Sequence, residues 1–360
     1  MMASIRDVAR RAGVAPSTVS YVLNGDRKTT EETRRRVREA VAALDYHPRA
    51  GARMLRSGRT QVVALALPRG GPERGASDAQ HPVDGRFVIE TADSAHRLGY
   101  DLLLATSGDK TSGLRRVALG GLADAAVVMA VDLEDARIDV VRELGFPAAL
   151  IGRPADEAAL PWTDVDWEQA AVLAVRALAG AGHRDIAYLT PAEEEVRSRR
   201  SSALHGLAGA RRGGRETGAE VRIAHSVDDP ARTAELLRSL LAPPAGPGAA
   251  PTALVVQHPT AHQHLLAAAG ALGLRVPEDL ALVVVGSLPG DPFCAGLPRV
   301  ELPVATMAAT AVRLAVDAAD SRRPAPRSAR RPRPGTPPPG AVLLPAELLG
   351  AEGLPPRHPA

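Results

Sequence analysis

Residues 14–25 read VAPSTVSYVLNG. Ser17, Thr18, Ser20 and Tyr21 stand among Val14, Val19, Val22 and Leu23. The apolar residues recur at helical spacing, so the segment reads as a short amphipathic helix. Pro16 suits its first position, where a missing N–H costs nothing, and Asn24-Gly25 stops it. Ala15 is a poor N-cap, and a Ser there would add about 1 kcal/mol. A buried helix has no use for a face so rich in hydroxyls, whereas a helix laid against a sugar-phosphate backbone does.

The flanks place this helix in a larger unit. Upstream, Ser4 precedes Ile5, Val8, Ala9 and Ala12 on one face, and Asp7 completes an acidic variant of a capping box. Gly13 supplies the turn. Downstream, a third helix follows Thr29, with Glu32 as its capping-box partner and Val37, Ala40, Val41 and Leu44 inside. Two short helices joined at a tight turn and braced by a third make a helix-turn-helix. In that unit the second helix enters the major groove, and its first residues reach base edges. The alternative at this point is a plain three-helix bundle with a solvated polar face.

Charge is unevenly placed along the 360 residues, whose net charge is +3. Residues 1–60 hold 13 Lys/Arg against 6 Asp/Glu, or +7, and the remainder holds 31 against 35, or −4. A basic head on an acidic body points to a polyanion met by the head alone.

Residues 46–60 read YHPRAGARMLRSGRT. The series IRDVARRAGV, STVSYVLNG and ARMLRSGRT resembles the N-terminus of the LacI (lactose repressor) family of bacterial transcription regulators, nearly without gaps over 60 residues. The resemblance implies base reading by Pro16, Ser17, Tyr21 and Arg27, and backbone contacts from Thr18, Asn24 and Tyr46. It also implies a hinge helix that forms on the operator and pairs with its twin in the minor groove. There Leu55 is the wedge and Ala52 allows close approach. An apolar wedge offsets base unstacking by the contacts it gains on bent DNA. Pro48 and Gly51 weaken this helix, and it is too short to persist alone in water.

From Gln61 onward, short apolar runs alternate with helical patterns: VVALALP, YDLLLATS, AAVVMAV, PAALIG, DIAYLT, VRIAHS, TALVVQ and LALVVVG. Alternation of this kind implies parallel sheets with right-handed crossovers. The motifs AGHRDIAYL, PTALVV and GLRVPEDLALVVVG, in that order, resemble the periplasmic-binding-protein-like body of the same family. The expected fold is an all-α helix-turn-helix head plus an α/β two-lobed body. The head covers 1–47, a hinge or linker 48–60, and the body 61–345. The first lobe takes 61–163 and 291–320, and the second takes 164–290 and 340–350. Residues 321–340, with six Arg and seven Pro, read as an extended, mobile insertion.

A cleft between two such lobes, at the carboxyl ends of the strands, is the expected effector site. By resemblance the candidates are Arg200, with Arg199 beside it, His258, Ser287 and Asp84. The family's usual residues are absent at several of these points. His258-Pro259 replaces a polar pair, Gly286-Ser287 stands where an acid is expected, and Val83-Asp84 replaces an aromatic pair. A sugar or an anionic metabolite is the expected effector class. Asp166 with Gln169 reads as a helix cap first.

One cysteine, Cys294, excludes an intramolecular disulfide and a multi-cysteine zinc site. No His/Cys cluster has metal spacing, no P-loop or GxSxG elbow is present, and EEE at 193–195 reads as a charged loop. We therefore expect no catalytic residue, metal or cofactor. No apolar run of signal-peptide length opens the chain, and none reaches 18 residues, so a cytoplasmic protein without a membrane partner is expected. The functional reading is a homodimeric repressor on a near-palindromic operator, with a tetramer left open. The alternatives are a DNA-binding regulator whose body has lost its ligand, and a cytoplasmic solute-binding protein.

Overall fold

The computed structural model describes residues 3–23, 29–46, 58–67, 82–106, 109–227, 229–242, 250–257, 261–322 and 340–356. The chain divides into two compact units, Met1–Thr60 and Gln61–Ala360.

The first unit is helical. Helix α1, Ile5–Ala12, has the expected capping box, with Ser4 and Asp7 bonding each other's backbone, and ends at Gly13 with φ +63°. That left-handed residue carries the chain into α2, Pro16–Leu23. Helix α3, Glu31–Ala43, is capped one residue later than expected. Thr30 accepts the Thr33 N–H at 3.3 Å, so the third helical position is Thr33. Glu32 instead pairs with Arg35 at 2.8 Å. The core joins Val8, Ala9, Ala12, Val19, Val37, Ala40 and Tyr46. Arg36 reaches back to the Gly13 carbonyl at 3.3 Å, which ties α3 to the turn.

The second unit has two six-stranded sheets. The first contains β1 (Val62–Ala66), β2 (Asp101–Ala105), β3 (Ala125–Met129), β4 (Ala148–Ile151), β5 (Trp162–Val165) and β11 (Ala341–Leu344). Their order is β11-β5-β4-β3-β1-β2, with every pairing parallel. The second contains β6 (Asp185–Thr190), β7 (Glu220–His225), β8 (Ala253–Gln257), β9 (Ala281–Ser287), β10 (Arg299–Glu301) and β12 (Leu348–Leu349). Their order is β12-β10-β9-β8-β6-β7, parallel except for β12. Both faces of each sheet are covered, which is why the strands read as unbroken apolar runs. In β1, Val63 and Leu65 enter one core, and Ala64 and Ala66 enter the core on the opposite face.

Helices α4 (Pro82–Arg97) and α12 (Val304–Ser321) cover one face of the first sheet, and α5 (Ser112–Leu119) and α6 (Ala136–Glu143) cover the other. Helices α7 (Trp167–Gly180) and α9 (Ser201–Thr217) lie on one face of the second sheet, with α10 (Pro230–Leu241) and α11 (Ala261–Ala271) opposite. Gly209 lets α9 approach α7 closely, because a Cβ there would collide with the Glu168 carbonyl. Among the described residues, no helix is long and apolar enough to cross a membrane.

The expected lobe limits shift at three points. Strand β5 extends the first lobe through Val165, beyond 163. Residues from 291 to 301 stay with the second lobe, because β10 pairs with β9 and β12. The VLLP strand, β11, joins β5 in the first lobe, and the chain returns to the second one element later, in β12. Edge pairing is set by distant partners, so alternation along one strand does not reveal its sheet. The EEE run is also helical, in α8 (Glu193–Arg197), where Glu193 pairs with Arg197 at 2.9 Å.

Candidate functional site

In the head, Pro16, Ser17 and Tyr21 are exposed along one side of α2, while Val19 is fully buried opposite. Ser17 and Tyr21 are one turn apart and so share a face. Tyr21 is 46% exposed, unusual for a large side chain in so small a unit. Thr18 is half-buried beside them. Tyr46 is 8% exposed and packs in the head core, so its first role is to brace the helices. A phosphate contact there is confined to its polar end. The arginines of α3 are largely engaged within the head. Arg34 binds Glu31 at 3.0 Å, and Arg35 binds both Glu32 and Glu39. Helix α2 thus exposes a hydroxyl-bearing face, whereas Arg34 and Arg35 of α3 are paired within their own helix. Asn24, Arg27, Ala52, Leu55 and His258 lie outside the described residues, as does most of the Pro/Arg insertion.

In the body, both sheets follow the same order, with the strand sequence reversing between β1 and β3 and between β6 and β8. Crevices form at such reversals, beyond the carboxyl ends of the strands. The chain leaving β3 there meets the chain entering α9. Asp132 and Arg200 form an antiparallel bridge. The Leu133 N–H donates to the Arg199 carbonyl at 2.9 Å, and the Ser201 N–H to the Val131 carbonyl at 3.0 Å. The Ser201 hydroxyl donates to the Arg153 carbonyl at 2.6 Å. Arg199 makes a forked contact with Glu134 at 2.7 and 3.2 Å. The two lobes thus touch directly at this point. Ala130 and Arg199, both non-glycine, have φ of 50° and 61° on either side of the bridge.

Arg200 is only 6% exposed and Asp132 only 3%. Lys110 donates to Asp132 Oδ2 at 2.6 Å. Asp132 Oδ1 lies 3.6 Å from Arg200 Nη1, and Arg200 Nε lies 3.6 Å from Glu195. These separations suit charge attraction but exceed hydrogen-bond range. Asp132 Oδ1, Arg200 Nε and Arg200 Nη1 are buried and make no hydrogen bond. Buried polar atoms in that condition cost free energy and call for a further partner.

Behind this network, Arg137 and Asp135 have side chains 2% and 0% exposed. Asp135 accepts from Arg137 at 2.9 and 2.6 Å, caps α6, and accepts the Asp132 N–H at 3.1 Å. Where the chain crosses between lobes, burial pushes Asp164 up to about 7, against hydrogen bonds from the Trp167 indole and the Arg153 and Val165 N–H groups.

Of the residues read from sequence, Arg200 lies at the centre of the bridge and Arg199 at its edge. Asp84 is half-buried in the first turn of α4. Ser287 does not belong to the set. It is fully buried at the end of β9, with its hydroxyl directed at the Val300 carbonyl. Strand β9 runs one residue past Gly286, which turns Ser287 into the core. Sequence reading missed Asp132, Glu134 and Lys110. An acid directly after the buried run AAVVMAV, at a strand's carboxyl end, is the signal that could have found Asp132.

Residues 4–49 match the model for bacterial regulatory proteins of the lacI family, and residues 175–338 match that for a periplasmic binding protein-like domain. Catabolite control protein A of Priestia megaterium is 28% identical over 293 residues, covering 79% of this chain and 82% of that protein. The HTH-type transcriptional repressor PurR of Pectobacterium atrosepticum is 28% identical over 297 residues, covering 78% and 80%. Among solved structures, the lac repressor dimer bound to operator and the anti-inducer ONPF superposes with a TM-score of 0.74 at 20% identity, covering 97% of this chain and 98% of that one. The transcriptional regulator CelR in complex with cellobiose gives 0.62 at 23% identity, covering 96% and 98%. These likenesses establish the fold.

Proposed function

The chain belongs to the lacI family of DNA-binding transcriptional regulators, and from that premise we propose that it is a repressor that reads a near-palindromic operator as a dimer under small-molecule control. Its relatives regulate transcription and are not enzymes. The helix-turn-helix spans 1–47 and the hinge 48–60. Pro16, Ser17, Tyr21 and Arg27 read bases. Pro16 offers only apolar contact, suited to a thymine methyl. Thr18, Asn24 and Tyr46 set the register on the backbone. Ala52 and Leu55 form the minor-groove hinge. The carrying observation is the exposed Ser17/Tyr21 face of a helix whose opposite face closes the head core.

The test is selection of bound duplexes from a random pool, run on the native chain and on Tyr21→Ala. The native chain is expected to enrich a twofold-symmetric site. The variant is expected to lose about 10-fold discrimination at one position in each half-site. A uniform fall across all sequences would assign Tyr21 to the backbone.

For the body we infer a hydroxyl-bearing solute seated between Asp132 and Arg200. A hydroxyl donates to Asp132 Oδ1 and accepts from the guanidinium, which satisfies both buried groups. An anion is the second choice, because Asp132, Glu134 and Glu195 surround the same arginines. Bound ligand alters how the lobes meet and thereby the hinge, and the sign of that effect decides inducer or corepressor. Thermal denaturation against a panel of mono- and disaccharides tests this. A ligand at 100 times its Kd raises stability by about 2.7 kcal/mol, and Arg200→Ala is expected to abolish the rise. The direct lobe contacts at 131–133 and 199–201 favour one competing reading, a body that needs no ligand. Absence of any shift across sugars and organic acids would select it.

A further inference from the structure

On the far side of the second lobe's core, three chemically different side chains converge. His262 lies in the first turn of α11 and is 0% exposed. Asp291 caps a short 3₁₀ turn, Pro292–Cys294, that follows β9. Cys294 ends that turn and is 1% exposed. His262 Nε2 is 3.1 Å from Asp291 Oδ2. One ligand atom from each of the three residues lies within 4.8 Å of the others.

We propose that His262, Asp291 and Cys294 form a site for a divalent transition-metal cation of the zinc class, with three protein ligands and one open position. Imidazole nitrogen, thiolate sulfur and carboxylate oxygen are the donors zinc takes, and the soft sulfur disfavours magnesium and calcium. Tetrahedral zinc separates a nitrogen and an oxygen ligand by about 3.4 Å, and a nitrogen and a sulfur by about 3.6 Å. The imidazole and carboxylate stand at 3.1 Å, slightly closer than that, and the three ligand atoms lie within 4.8 Å of one another, so closure requires only small side-chain shifts.

The outer contacts also fit. A metal-bound carboxylate is normally held by a hydrogen bond on its other oxygen, and the Phe293 N–H donates to Asp291 Oδ1 at 2.9 Å. The Phe293 ring stands edge-on to His262, with centroids 6.5 Å apart. The Asp291 side chain keeps 10% exposure, so the carboxylate is the ligand nearest solvent.

A nucleophilic Cys–His–Asp reading fits less well. Reactive thiols sit partly exposed in electropositive surroundings, whereas burial and the neighbouring Asp291 push Cys294 up to about 12. On binding, the thiol proton leaves to solvent and the thiolate takes the metal, with no change of oxidation state. The ion then clamps the start of α11 to the turn after β9.

Cobalt(II) added to the full-length, chelator-treated protein tests the site. The chain has one cysteine, so a thiolate-to-cobalt charge-transfer band can come only from Cys294. The expected result is that band, saturating at one equivalent and removed by one equivalent of zinc. His262→Gln is expected to weaken zinc binding at least 10-fold, and Cys294→Ser to abolish the band. No band in the native protein overturns the proposal, and needs no variant to fold. A band that persists in His262→Gln with unchanged affinity overturns it equally.

Discussion

Asp135→Ala is expected to lower the stability of the body by about 3–5 kcal/mol, the cost of leaving a buried charge without its partner. The variant strands the Arg137 guanidinium with only the Ala66 and Ala130 carbonyls for company. It also removes the cap of α6 and frees the Asp132 N–H. Both tryptophans, Trp162 and Trp167, lie in the body, so urea denaturation followed by their fluorescence reports that unit. Asp135→Ser with Arg137→Met, which keeps a cap and replaces the charge with an apolar side chain, is expected to recover most of the loss. A loss below 1 kcal/mol for Asp135→Ala would show that water reaches Arg137.

The pH dependence has a defined sign. Burial raises the Asp135 carboxyl, but hydrogen bonds and charge from Arg137, with N–H groups of Arg137 and Asp132, outweigh it and hold the group below the usual range. A depressed folded pKa stabilises above the unfolded value, about 3.9, and the gain fades as pH falls through the folded pKa. The gap between native and variant is therefore expected to be constant near neutrality and to close only in strong acid.

Leu55→Ala is the second large effect. A wedge that opens a base step is needed only on the bent operator, so its removal should weaken specific binding about 10- to 100-fold, or about 1.4–2.7 kcal/mol. Binding to a scrambled duplex at the same salt should change little, because phosphate contacts dominate there. Equal losses on both duplexes would remove the wedge role. The proposal for Leu55 rests on the ARMLRSGRT resemblance and on the family matched by residues 4–49.

What was legible in the sequence follows the range of the forces involved. Caps and turns act over three or four residues, and Ser4, Asp7, Gly13 and Pro16 were read correctly. The α3 cap slipped from Thr29 to Thr30 because neighbouring threonines are equivalent on paper. The resemblance places Tyr46 at the DNA backbone, but its packing in the head core is not legible, since nothing local marks a tyrosine that packs. The alternation of strands and helices identified two parallel sheets but not their edges, and β11 was given to the wrong lobe. Arg200 is singled out by its motif, and the structure puts it at the bridge. Its partners Asp132, Glu134 and Lys110 lie far upstream and meet it only in three dimensions. Asp291 and Cys294 share a turn, but His262 comes from another element, so no spacing rule could join them.

The left-handed backbone at Ala130 and Arg199 gives the bridge between the lobes a mechanical character. Non-glycine residues held there cost about 1–3 kcal/mol each and persist only while their surroundings enforce it. At Arg199 those surroundings belong to the second lobe itself: its N–H bonds the Val196 carbonyl at 3.1 Å and the Arg200 N–H bonds the Glu195 carbonyl at 2.8 Å, so Arg199 is the left-handed residue that ends α8. That side of the joint is therefore a pre-shaped hook: the end of α8 sets its form before Leu133 engages it, and the form survives when the two lobes part.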